Sequence, residues 1–271
     1  MEALDLLAYP FAVSALLVII HAYFGIHVLE RGIIFVDLAL AQFIGLGIAV
    51  SFLPGLPVLP VLAGYDGAGR YALSLLFGLL GASVLSLSRA IKKIVNIEAF
   101  IGVLYIFSLA GSILVLDRTP HGMEEFKAIL NGNILWVNGQ DALYAALLYA
   151  AVGIFHLIFH RRFFALSSEG SGALIWELLF FFSFAVVLIS SVSLAGILQV
   201  FSFLVIPVLT GKLFARSTLS LFLLSCGIGI ITSFAGIVLS HAFDLPTAPL
   251  IVFSLSVALL AALTVKTVIL K

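Results

Sequence analysis

Nine long apolar runs follow one another along this chain, at about residues 7–28, 33–53, 71–88, 98–116, 141–159, 174–193, 195–209, 218–240 and 247–269. Each is bounded by charges or by Gly/Pro punctuation. A helix needs about 20 consecutive apolar residues to cross the hydrocarbon of a bilayer, and eight of the runs meet or approach that length. The seventh is short and reads as a broken or re-entrant helix. The runs are about twice as long as a barrel strand and do not alternate apolar with polar, which excludes a transmembrane β-barrel. The fold expected is therefore all-α, a polytopic membrane protein of eight or nine transmembrane helices, one short or broken.

Little of the chain is left for anything else. With 63% of 271 residues hydrophobic and 10% charged, it cannot clothe a water-soluble surface. No loop is long enough to fold by itself, so residues 1–271 are expected to form a single transmembrane domain. A net charge of +0 and the absence of a basic run exclude nucleic acid as a partner. The opening Met1-Glu2-Ala3-Leu4-Asp5 is acidic where a signal peptide is basic, so the first run is expected to be retained as a span. The single cysteine, Cys226, lies in an apolar run and packs as a small hydrophobe.

Lys and Arg collect on the cytoplasmic side of membrane proteins. With the N-terminus outside and nine crossings, Arg31, Arg89, Lys92, Lys93, Arg161, Arg162, Lys212, Arg216, Lys266 and Lys271 all face inward, ten of the 13 basic residues. Arg70, Arg118 and Lys127 face outward. The outer loops are Pro/Gly-rich, as at Pro54-Gly55-Leu56-Pro57, or carry a short amphipathic stretch, Glu124 to Leu130.

Ionisable and polar groups inside spans are costly and mark functional sites by default. His21 and His27 lie in the first run, Asp37 and Gln42 in the second, His156 and His160 at the end of the fifth, and Glu177 and Gln199 further on. His21 and His27 stand about 240° apart on a helix and cannot serve one ion together; His27, near Glu30 and Arg31, is expected at the membrane interface. His156 and His160 share the four-residue spacing of a helical metal pair. No Glu follows His156 as a zinc protease requires, and Arg161 and Arg162 adjoin the pair, so an interfacial anchor is the expected role. Asp37 sits four residues into its run with no basic neighbour beyond Arg31, and reads equally well as a functional carboxylate or as a structural one bonded to a neighbouring helix. Gly211-Lys212 is not a phosphate-binding loop, because Leu213 follows where Ser or Thr must hold magnesium and Ile206 replaces the first glycine. The chain itself therefore binds no ATP by that motif and holds no cofactor.

The segment from Ala195 through Gly196-Ile197-Leu198-Gln199 to Ile206-Pro207-Val208-Leu209-Thr210-Gly211-Lys212 resembles a signature of the zinc/manganese/iron ABC permease family. There a Gly-x-Leu-Leu segment runs into Leu-Leu-x-Ile-Pro-Ala-Ala-x-Ala-Arg. Gly236, Ser240, Asp244, Pro246 and Pro249 fall where that family has Gly-x-x-x-Ser-x-x-x-Asp-x-Pro-x-Gly-Pro, with Ala248 in place of glycine. Glu98-Ala99-Phe100-Ile101-Gly102 is similar to its acidic residue before Ile-Gly-Ile, and Leu130-Asn131-Gly132-Asn133-Ile134-Leu135 to its Gly-Asp-Ile-Leu segment. Four motifs in collinear order cover nearly the whole chain. In the second run the family's Gly-Asp-x-Leu-Ala-His becomes Val36-Asp37-Leu38-Ala39-Leu40-Ala41, with Gln42 one residue late.

The resemblance implies a multi-pass permease subunit of the cell (inner) membrane, without an ATP site of its own, in an ATP-driven importer of divalent metal ions. It implies a second permease copy as a homodimer, cytoplasmic ATPase subunits that bind the ATP, and an extracytoplasmic solute-binding protein. Asp37 would contact the metal. Gln42 is the weaker ligand, able to join Asp37 only if the helix is broken near Ala39 to Ala41. Pro207, Thr210, Gly211 and Lys212 would couple to the ATPase, Pro207 ending the seventh span and Thr210 to Arg216 forming a short surface helix. The competing reading is an ion-coupled secondary transporter with Asp37 and the histidines as a proton relay.

Overall fold

The computed structural model describes residues 2–53, 68–87, 91, 94–168 and 173–269. The Pro54–Pro57 loop and Arg89, Lys92, Lys93 and Lys271 lie outside these. Among the described residues there is no strand. The helices are α1 (Glu2–Arg31), α2 (Val36–Ser51), α3 (Ala68–Ser86), α4 (Ile97–Leu116), α5 (Gly122–Asn131), α6 (Gly139–Ile158), α7 (His160–Ser168), α8 (Leu174–Lys212), α9 (Thr218–Phe243) and α10 (Thr247–Thr264). Seven of them are long and apolar enough to cross a membrane, and α2 is a shorter apolar helix. The protein is thus a polytopic all-α membrane protein.

α8 absorbs two of the nine runs. Its 39 residues would span about 58 Å as one straight helix at 1.5 Å per residue, nearly twice the hydrocarbon thickness of about 30 Å. It is not straight, because Gly196 takes φ 76° and ψ 164°, which interrupts the helix between the sixth run and the seventh. Only glycine adopts that backbone without strain. An interruption leaves carbonyls without their amide four residues on, and one is answered from elsewhere: the Asn133 N–H donates to the Leu194 carbonyl at 3.3 Å. Beside it Gly132, at φ 64°, comes so close that a Cβ there would lie 2.1 Å from the Ala195 carbonyl carbon. The seventh span does not end at Pro207. The helix continues to Lys212 with Pro207 inside it, a proline being tolerated in apolar surroundings where neighbouring groups make up the lost bond.

The described residues form two compact units. One comprises Met1–Leu29, Asn131–Phe155 and Leu194–Lys271. Here α9 presents a buried row of small residues, Ser225, Gly229, Ser233, Gly236 and Ser240, the pattern that lets membrane helices approach closely where apolar burial gives no driving force. At Gly229 a Cβ would meet Val18 at 2.5 Å, and at Gly25 of α1 one would meet the Leu204 carbonyl at 2.2 Å. Ala22, Ile26 and Val208 form the adjoining core, with Leu221, Phe222 and Cys226 packed against it. α9 starts on Ser217, whose hydroxyl accepts from the Ser220 N–H as an N-cap, and ends on Asp244 in the left-handed region at φ 52°.

The other unit comprises Glu30–Leu130 and His156–Ser193. α2 packs against α3 through Gly47, where a Cβ would lie 2.6 Å from the Leu73 carbonyl, and through Phe43, which fills the space beside Gly81. α4 is capped by Asn96, whose side chain accepts from the Ala99 N–H at 3.1 Å, and lays Gly111 on Leu46.

Candidate ion-pathway site

α2 is short and almost wholly buried, and it carries Asp37 in its first turn. Phe35 occupies the N-cap position and offers no side-chain acceptor, so the opening amides of α2 must find partners elsewhere. The Asp37 side chain is fully buried, and neither carboxylate oxygen has a hydrogen-bond partner among the described residues. That argues against Asp37 serving as a structural acid bonded to a neighbour, since buried polar groups in a settled core are paired.

A second acid approaches the segment just before α2. Glu98, in the first turn of α4, brings its carboxylate up to the backbone amides of Ile34 and Phe35. It stops short of full hydrogen-bond geometry, and both oxygens are shielded from solvent. The sequence marks Glu98 as part of a motif but gives no sign that it meets α2, because nothing in a periodic apolar pattern encodes which helix ends converge.

The other polar candidates separate. α2 runs unbroken through Ala39 to Ala41, so Gln42, buried at 3% exposure, stands about 140° around the axis from Asp37. The structure does not bring the two together. His27 is fully buried, edge-on to Tyr23 with ring centroids 4.8 Å apart. His21 is equally buried, its Nδ1 bonded to the Leu17 carbonyl at 2.8 Å. His156 and His160 do not share a helix: α6 ends at Ile158 and α7 begins at His160. His156 is buried against Phe163, ring centroids 4.1 Å apart, and bonds Ser183 at 2.7 Å; His160 is exposed. Gln199 is buried with both amide atoms unpartnered among the described residues. No group of three or more His, Cys, Asp or Glu gathers among the described residues into a full coordination shell.

The residues assigned to ATPase coupling lie at the end of α8. Pro207, Thr210 and Gly211 are buried and Lys212 is exposed. Thr210 returns its hydroxyl to the Ile206 carbonyl at 2.8 Å, and Gly211 admits Ser225 and Leu221 of α9. No short surface helix forms over 210–216; the last turn of α8 gives way to turns before Ser217. A short amphipathic helix does form at α7, with His160, Arg161 and Arg162 exposed and Phe163, Leu166 and Ser167 buried.

The sequence profile of the ABC 3 transport family matches residues 3–266. Among similar proteins are a probable metal transport system membrane protein of Chlamydia muridarum, 26% identical over 62% of this chain and 60% of its own length, and the manganese import system permease protein ScaB of Streptococcus pneumoniae, 24% identical over 85% of this chain and 80% of its own. The match thus spans about three fifths of the chlamydial relative. The structure of PsaBC from Streptococcus pneumoniae in complex with Fab shares the fold, with a TM-score of 0.76 and 22% identity over 96% of this chain and 93% of that one. Matched over nearly its whole length, this multi-pass membrane protein belongs to the ABC 3 transport family.

Proposed function

We propose that this chain is the permease subunit of an ATP-driven importer of divalent metal ions in the cell (inner) membrane. The observation that carries the reading is a fully buried Asp37 carboxylate without a hydrogen-bond partner among the described residues, on a helix of an ABC 3 family chain. A cation crossing lipid must exchange its hydration shell for protein ligands, and a carboxylate held ready in an apolar surround is such a ligand. The site is incomplete by design: an ion bound by a full shell would not move on. Oxygen donors suit manganese or iron better than zinc, which imidazole and thiolate favour.

The remaining parts follow from this reading. Two copies of the chain form the pathway, and alternating access opens it to each side in turn. An extracytoplasmic solute-binding protein delivers the ion, and ATPase subunits dock inside. The ATPase meets the basic, exposed side of α7; of the set Pro207, Thr210, Gly211 and Lys212, only Lys212 is exposed to offer a contact of its own. Phe163 anchors α7 from beneath, packing on His156 and Trp176. The test is the metal content of cells lacking this chain, measured element by element. A selective fall in one divalent metal, restored by the gene, supports the reading; unchanged metals argue against it.

A further inference from the structure

Within one compact unit, residues 131–136 and 245–249 face each other across a cleft of about 230 Å³. Each wall is fixed from behind. The Ser240 hydroxyl donates to the Leu245 carbonyl at 2.6 Å and pairs with the Thr247 hydroxyl at 2.6 Å, which holds the turn between α9 and α10. The opposite wall is tied to the break in α8, by the Asn133 N–H on the Leu194 carbonyl and by the close approach of Gly132 to Ala195.

Charge tells which side of the membrane the cleft faces. The described Lys and Arg residues of this unit are Lys212, Arg216 and Lys266. Arg216 precedes α9 and Leu245 follows it, so the 26 residues of that helix separate them by about 39 Å; Lys266 likewise lies beyond the far end of α10. Basic residues collect on the cytoplasmic side, and the cleft therefore opens outward. Pockets for free small molecules run to about 300–1,000 Å³, so this one suits a single inserted side chain. Acyl chains would offer the amides of Asn131 and Asn133 in its wall no partner. Trp136 lines the cleft at 78% exposure, and the exposed Asp244 adjoins Leu245. An aromatic face and a carboxylate are the groups that receive a cationic side chain.

We propose that this cleft is a docking point of the extracytoplasmic solute-binding protein, which inserts a Lys or Arg side chain between the two walls. The inference rests on the reading of this chain as an importer permease. It places docking one hydrogen bond from the break in α8, through Asn133. The rival role for Trp136 is that of an anchor at the membrane surface, where tryptophan collects.

The experiment places photoreactive benzoylphenylalanine at Asn133 or Leu245 of the full chain in intact cells and identifies the cross-linked protein by mass spectrometry. Both positions should capture a solute-binding protein, and Leu260, exposed toward the other end of α10, should capture none. Trp136→Ala with Asp244→Asn should cut that capture at least tenfold at unchanged abundance, whereas Trp136→Phe, which keeps an aromatic face, should retain most of it. Reduced abundance in Trp136→Ala with unchanged capture per permease assigns Trp136 to anchoring and overturns the proposal. Capture from Glu124 of α5 but from neither cleft position overturns it too, and leaves the importer reading standing. Capture from none of these positions overturns the proposal, and with unchanged cell metals the importer reading as well.

Discussion

The Arg31 guanidinium donates to the Glu177 carboxylate at 2.9 Å across 146 residues of sequence, and both side chains are buried. Nε of the same group donates to the Ser167 hydroxyl at 3.1 Å, and the plane lies 4.1 Å from the Phe180 ring centroid. The last turn of α1, the end of α7 and the first turn of α8 are thereby tied together. Arg31→Ala removes this cation from beside the buried Glu177, and breaking such a pair costs about 3–5 kcal/mol. A matched apolar pair, Arg31→Met with Glu177→Leu, should recover most of that stability. Thermal unfolding in detergent, read by intrinsic fluorescence, checks both; a single variant as stable as wild type would show that the pair contributes nothing.

Two left-handed glycines separate backbone strain from crowding. Gly32 has φ 66° with nothing near its missing Cβ, whereas Gly132, at φ 64°, is pressed against the Ala195–Gly196 peptide. Gly32→Ala should cost about 1 kcal/mol, the conformational penalty alone. Gly132→Ala must also displace the break in α8, and its loss of stability should be clearly larger. Equal losses would mean that the Gly132 contact yields freely.

What the sequence conveyed was set by lipid. A membrane demands a continuous apolar run for each helix, so the spans could be read from composition along the chain, and the shortness of the seventh run signalled the break at Gly196. The partner of that break, Asn133, carries no such signal, because it arrives from a loop over 60 residues away. Asp37 stood out as a carboxylate within an apolar run, whereas the approach of Glu98 depends on how α4 packs on α2. The expected end at Pro207 relied on a rule for helices in water, and the pairing of His156 with His160 assumed a continuous helix where α6 stops at Ile158.

Orientation is open to direct measurement. With Cys226 replaced by Ala, a cysteine at Arg216, exposed in the turn before α9, should react with a membrane-impermeant maleimide only after the cells are opened. One at Glu124, exposed in α5, should react in intact cells. The reverse pattern would invert the topology drawn from the Lys and Arg distribution.

Coupling can be tested at α7. Reversing its charge, Arg161→Glu with Arg162→Glu, alters exposed side chains and should leave the amount of permease in the membrane unchanged. If the ATPase docks there, co-purification of the ATPase should fall at least tenfold and uptake with it. Full assembly and uptake would move the docking surface elsewhere, with Lys212 the next residue to replace.

If Asp37 handles the ion, Asp37→Asn, which removes the charge and keeps the shape, should stop transport. The measurement is the initial rate of ⁵⁴Mn²⁺ uptake by cells whose only copy of the permease is the variant, normalised to permease in the membrane. Asp37→Asn should show wild-type abundance with uptake reduced at least a hundredfold, about 2.7 kcal/mol at a factor of ten per 1.36 kcal/mol. Wild-type uptake at equal abundance would contradict it.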